Sequence, residues 1–177
     1  MIEEASSLVL NSIAPLALRV RFEFDDSARY VWVNRVQIQQ VIVNLVRNAF
    51  EAMADQEPRE VTLATRSLDD ATIEIALADN GPGNPGDIAG RLFEPFISNK
   101  PDGMGLGLPI SRSIVEAHDG QLTVQPNPGG GTIFRFTLPS AGEATFWMMT
   151  TPCCGRWNGC CVRPISSRSR STIRTHF

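Results

Sequence analysis

The chain has 177 residues, 42% of them apolar, which is enough for one packed core. A net charge of −3, with basic residues scattered through the first 140 positions, excludes a nucleic-acid footprint there. No apolar run approaches the roughly 20 residues of a membrane span, and Glu3 and Glu4 argue against a signal peptide, so the expectation is a cytoplasmic domain without membrane contact.

In chain order, "RVRFEF" at 19–24 alternates charged and apolar residues, and "YVWV" at 30–33 follows a turn at Asp25-Asp26-Ser27, giving two strands. Asn34 with Gln37 three residues on forms a capping-box signature. The helix that it opens runs to about Ala54 and carries a broad apolar surface from Val36 to Met53. "EVTLATRS" and "ATIEIALADN" are two more alternating strands, and the glycines and prolines of 81–90 mark a loop. "ISRSIVEAHDG" is a helix ending at Gly120, and "QLTVQP" with "GTIFRFTLP" closes the globular part as paired strands. Strands and helices mix without a strict β-α-β rhythm, which predicts an α+β layer with helices on one face of a sheet.

From about residue 141 the character changes. All four cysteines fall in "TPCCGRWNGCCVRP", followed by the basic, serine-rich "ISSRSRSTIRTHF". The spacing C-C-x5-C-C matches no usual zinc pattern and no histidine stands near it, so 141–177 reads as an irregular, disordered tail rather than a metal site.

Three stretches carry chemistry. On the long helix, Gln37, Gln40, Asn44, Asn48 and Glu51 recur every three or four residues and stack as one narrow polar stripe. Such a stripe is either solvated or faces a polar ligand; Asn44 and Asn48, one turn apart, can converge on a hard cation such as Mg2+. Asp79-Asn80-Gly81-Pro82-Gly83 ends a strand: it makes an ordinary turn, and it also offers a carboxylate beside bare backbone, which suits the exocyclic amine of a flat base. Gly103-Met104-Gly105-Leu106-Gly107 precedes a helix, as anion-binding loops do. It lacks the preceding strand of a dinucleotide fingerprint and the Gly-Lys-Ser/Thr of a P-loop.

Taken in order, "QIQQVIVNLVRNAFEAM", "DNGPG", "RLFEPFISNKPDGMGLGL" and "GGGTIFRFTLP" resemble the asparagine box, first glycine box, phenylalanine box, second glycine box and closing Gly-Thr turn of the sensor histidine kinase ATP-binding domain. The likeness covers about residues 1–140 and is similar to kinases of the nitrogen-fixation type. It implies the Bergerat fold of the GHKL superfamily, a two-layer α/β sandwich of mixed sheet and helices with a flexible lid, here about Asn84 to Gly105. By the same resemblance Asn48 holds Mg2+, and Asn44 supports the phosphates or the waters of the metal. Asp79 binds the adenine amine, Gly81 and Gly83 let the base approach, and Thr132 assists Asp79 through water. Gly103, Met104, Gly105, Leu106 and Gly107 wrap the triphosphate of ATP, Lys100 adds positive charge, and Phe93 and Phe96 anchor the lid or pack in the core. Asn84 and Gly86 depart from the family pattern behind the first glycine box.

The resemblance also frames the chemistry. Hydrolytic members of the superfamily carry a glutamate base four residues before the metal asparagine, where this chain has Asn44. An amide cannot take a proton from water, so the implied activity is transfer of the γ-phosphate, with Asn48 and Lys100 in catalytic roles, to a histidine on a dimerisation domain, and from there to a response regulator. His118 sits at a helix C-terminus, where a cation complements the dipole, and reads as structural; His176 lies in the tail. Alternative readings are a nucleotide-binding fragment inactive in isolation, or a serine kinase or ATPase on the same fold. Finally, Trp147-Met148-Met149-Thr150 read two bases later encodes Asp-Asp-Asp, which looks like the opening of a receiver domain and makes the tail a candidate frameshifted read-through.

Overall fold

The computed structural model describes residues 18–28, 30–83, 91–96, 105–141, 161–164 and 172–173. In chain order the elements are β1 Leu18–Phe24, β2 Tyr30–Val33, α1 Arg35–Ala52, β3 Arg59–Ser67, β4 Thr72–Asp79, α2 Gly107–Glu116, β5 Leu122–Pro126, β6 Thr132–Pro139, β7 Cys161–Pro164 and β8 Thr172–Ile173. The main sheet has the order β5-β6-β4-β3-β1-β8. Only β1 and β3 run parallel; the other pairs are antiparallel, so the sheet is mixed. Within 141–177, read from the sequence as irregular, the described residues are Ala141 and the two short strands β7 and β8.

Alternation explains why one face of this sheet is covered. Val20 and Phe22 of β1, Val61 and Leu63 of β3, Ile75 and Leu77 of β4, and Phe134 and Phe136 of β6 are all buried, while the residues between them are more exposed. Against that face lies α1, whose Ile38, Val41, Ile42, Leu45, Val46 and Ala49 are buried. Val36, included in the apolar surface on sequence grounds, is 73% exposed, because it stands on the first turn beyond the edge of the sheet-facing stripe.

The two strands expected at 19–24 and 30–33 are present but do not pair with each other. β1 lies between β3 and β8, whereas β2 pairs with β7 and touches Ser140 through Val31. The turn between them is closed by Asp25, whose Oδ1 accepts from the Ser27 hydroxyl at 2.7 Å and from the Ser27 N–H at 2.9 Å. Those bonds, the hydroxyl first, hold its carboxyl below the ordinary range.

The capping box is half realised. Asn34 Oδ1 accepts from the N–H groups of Val36 and Gln37, as an N-cap should. The Asn34 N–H, which a capping-box Gln would satisfy, goes instead to His118 Nε2 at 3.0 Å. His118 Nδ1 lies 2.8 Å from the Ile114 carbonyl, which can only accept. His118 thus spends both ring nitrogens on main-chain groups, Nε2 on the Asn34 N–H and Nδ1 on the Ile114 carbonyl. It is a link between the end of α2 and the start of α1.

α2 begins at Gly107, three residues before the start read from the sequence, because Pro109 falls in the first turn, where its missing N–H has no helical partner to lose. The chain leaves α2 through Asp119, which adopts φ 58°, so the left-handed position is not held by the glycine that follows. Gly120 is required for a different reason: a Cβ there would lie 2.0 Å from the Thr137 carbonyl oxygen. Gly120→Ala should therefore cost about 3 kcal/mol or more, while Asp119→Gly should gain up to about 1 kcal/mol. Denaturant unfolding checks both, and a wild-type midpoint for Gly120→Ala would contradict this packing.

Candidate functional site

β4 ends on Asp79 in its inward-facing register, so the carboxylate that follows Ile73, Ile75 and Leu77 is itself 3% exposed. An ionised group buried this deeply needs donors. Asp79 Oδ1 receives two backbone donors, Gly81 N–H at 2.9 Å and Thr132 N–H at 3.1 Å. Among the described residues no donor reaches Oδ2. Burial raises the carboxyl above its ordinary value, and the two N–H bonds oppose that only in part. Thr132, expected to assist Asp79 through water, does so directly with its main chain.

The glycines around Asp79 are there for space. A Cβ on Gly81 would lie 2.9 Å from Asp79 Oδ1 and 3.4 Å from Met53 Cγ. Gly83 has φ 79°, and Gly131, at φ 98°, brings its Cα so close that a Cβ would sit 2.1 Å from the Asp79 carbonyl oxygen. Side chains at these positions would collide with Asp79 or its neighbours, so bare backbone is what lets the chain pack this closely around the carboxylate.

The polar stripe of α1 divides in function. Asn44 turns its amide to α2: Nδ2 donates to the Gly107 carbonyl at 3.0 Å and to the buried Ser111 hydroxyl at 3.2 Å. Gly107 is the first residue of a helix packed against Asn44, where an added Cβ would be 3.4 Å from Nδ2. Asn48, one turn on, is half-buried and faces the same side of α1. Gly105, at φ 63°, and Leu106 lead into α2. Asn84, Gly86, Lys100, Gly103 and Met104 lie outside the described residues, as does most of the expected lid.

Of the two phenylalanines, Phe93 packs against the core beneath the Arg112 guanidinium, 5.4 Å from its ring centre, whereas Phe96 is 79% exposed. Sequence reasoning missed Ser111, His118 as a bridge, and Asn127, whose Nδ2 donates to the Asp79 carbonyl at 2.8 Å. Only Asn127 left a local signal, as an Asn opening the turn "NPGGG". Among the described residues no group of His, Cys, Asp and Glu could hold a metal by itself. An Mg2+ ion held by Asn48 would therefore need further oxygens from a bound phosphate and water, which suits an amide ligand.

An open hollow of about 650 Å3 lies on the other face of the sheet and is lined by none of these residues. Three of its charges pair with one another, Glu74 Oε1 lying 3.2 Å from Arg66 and 2.8 Å from Arg135. No described helix is long and apolar enough to cross a membrane.

Residues 33–142 match the family described as histidine kinase-, DNA gyrase B- and HSP90-like ATPase. The sensor protein FixL of Bradyrhizobium diazoefficiens is 46% identical over 143 residues, which is 81% of this chain and 28% of that protein. The chain thus spans little more than a quarter of that relative. The nucleotide-free catalytic domain of the histidine kinase ThkA superposes with a TM-score of 0.69 at 30% identity, covering 78% of this chain and 90% of that one. Full-length ShkA in complex with AMPPNP gives a TM-score of 0.67 at 26% identity, covering 81% and 31%.

The Asp79 geometry generates a test of its own. A carboxyl raised in the folded protein above its ordinary 3.8 destabilises the fold when ionised, and that cost disappears as pH falls through the folded value. Asp79→Asn keeps an acceptor for Gly81 and Thr132 and removes the charge. Without ligand it should melt ~2–5 °C above wild type at neutral pH, the gap closing in acid. Equal melting at neutral pH would contradict the account.

Proposed function

The chain belongs to the histidine kinase-, DNA gyrase B- and HSP90-like ATPase family, and from that premise we propose that it binds ATP with Mg2+ and donates the γ-phosphate to a histidine on a dimerisation domain. That domain belongs to a longer or separate chain in the cytoplasm, and a response regulator takes the phosphate onward. The observation that carries this reading is Asp79, a buried carboxylate whose Oδ1 is committed to the main-chain donors of Gly81 and Thr132, with no donor among the described residues on its other oxygen.

In this reading Asp79 Oδ2 accepts from the exocyclic amine of adenine, and Gly81 and Gly83 admit the ring. Asn48 supplies an oxygen to Mg2+, which when bound neutralises phosphate charge. Lys100 and the N–H groups of Gly103, Met104, Gly105, Leu106 and Gly107 meet the phosphates near the start of α2. Asn44 acts from behind, since its Nδ2 holds the Gly107 carbonyl and so fixes the start of α2 against the metal-bearing helix.

Asn44 also argues for transfer rather than hydrolysis. An amide whose N–H2 is already spent on Gly107 and Ser111 has no basic site for a proton from water. What remains is positioning and charge stabilisation for a nucleophile brought from outside. Each of these groups binds or orients; none is consumed.

Incubating the chain with γ-labelled ATP and a sensor-kinase dimerisation domain tests the reaction. Acid-labile, alkali-stable label on that domain is expected, and label retained as acid-stable phosphoserine, or released only as inorganic phosphate, would refute it. Asp79→Asn should abolish ATP binding, and Asn48→Asp should change its Mg2+ dependence. Wild-type affinity in Asp79→Asn would remove the site assignment.

A further inference from the structure

The ladder between β4 and β6 stops with Ala78 opposite Ile133. One step beyond, Thr132 spends its N–H on the Asp79 carboxylate rather than on the main chain of β4. The Asp79 carbonyl is satisfied instead by a side chain, Asn127 Nδ2 at 2.8 Å. The geometry points to Asn127 as a positioning residue for the Asp79 carboxylate, one that sets how selectively the site takes an adenine base. This rests on the reading of Asp79 as the base acceptor.

Asn127 can do this because the loop that carries it is closed on itself. Its N–H donates to the Gly131 carbonyl at 3.0 Å, and its carbonyl accepts from Gly130 N–H at 2.9 Å. The β5–β6 turn therefore presents two donors in fixed relation: the Asn127 amide, which grips the carbonyl of Asp79, and the Thr132 N–H, which grips its carboxylate. On the other side, Asn80 binds the edge of β3, accepting from Glu60 N–H at 2.9 Å and donating to the Pro58 carbonyl at 2.8 Å. Asp79 is thus held at its carbonyl, at Oδ1 and at the following residue, while Oδ2 keeps a single direction. Without the Asn127 donor the Asp79 carbonyl loses its side-chain partner, and Thr132 N–H, one step beyond the last ladder pair, would turn to it and release the carboxylate.

The experiment measures ATP and GTP affinities of wild type, Asn127→Ala and Asp79→Asn, with folding checked by thermal melting. Adenine offers an amine to the carboxylate, whereas guanine offers a carbonyl oxygen at that place, so ordering Asp79 favours ATP alone. Asn127→Ala should weaken ATP roughly tenfold and leave GTP nearly unchanged, so that their ratio collapses. A wild-type ratio in a folded Asn127→Ala protein, or an equal loss for both nucleotides, would overturn the inference while leaving the ATP site standing. Wild type that fails to bind ATP, or Asp79→Asn that binds it normally, would overturn the site reading and this inference with it. Should Asn127→Ala not fold, the side-chain amide protons of Asn127 in wild type give the answer: exchange-protected and shifted by ATP supports the role, freely exchanging and unmoved overturns it.

Discussion

A carboxylate buried at the end of a strand is the constraint on which the rest of the site depends. Asp79 occupies a register position that three residues before it fill with Ile73, Ile75 and Leu77, so by alternation alone it belongs to the core. Burying charge there is unfavourable, and the fold offsets this with two main-chain donors on one oxygen. The offset is incomplete, which is why the carboxyl is raised. In the proposed reading a ligand donor on the second oxygen would complete it, and that residual need would favour a group bearing N–H.

The surrounding features follow from meeting that need without filling the space. Gly81 and Gly131 come within distances that no Cβ could share with Asp79, so main-chain N–H groups reach the carboxylate while side chains stay out. At the start of α2 the same economy recurs, because Asn44 uses its side chain on the Gly107 carbonyl and Ser111 and thereby joins α1 to α2. His118 joins the same two helices a second time, through the N-cap of α1. The helix bearing Asn48 and the helix that follows the glycine loop are thus fastened at two points.

Much of this was legible in the sequence. Strict alternation in β1, β3, β4 and β6 identified the buried face, and the 3.6-residue period of α1 separated its apolar surface from the stripe holding Asn44 and Asn48. The motif order placed Asp79, Gly81 and Thr132 in one site, and the structure brings these three together. What could not be read depends on partners distant in sequence. Nothing local says that β1 and β2 join different sheets, that the Asn34 N–H goes to a ring 84 residues away, or that Asn127 lends a donor to a strand 48 residues earlier. His118 reads as structural from its place after the helix, and it is, but the bridge it makes to the N-cap of α1 has no local signal.

Asp79 has no donor among the described residues on its second carboxylate oxygen, and in the proposed site a nucleobase amine supplies one. Its ionisation can be followed directly by the carbon-13 resonance of its carboxyl in the free chain and in the presence of Mg-ATP. The account predicts a midpoint above the ordinary 3.8 in the free protein and a clear fall when nucleotide is bound, since the bound amine favours the ionised form. A midpoint that nucleotide leaves unchanged at saturation would contradict it.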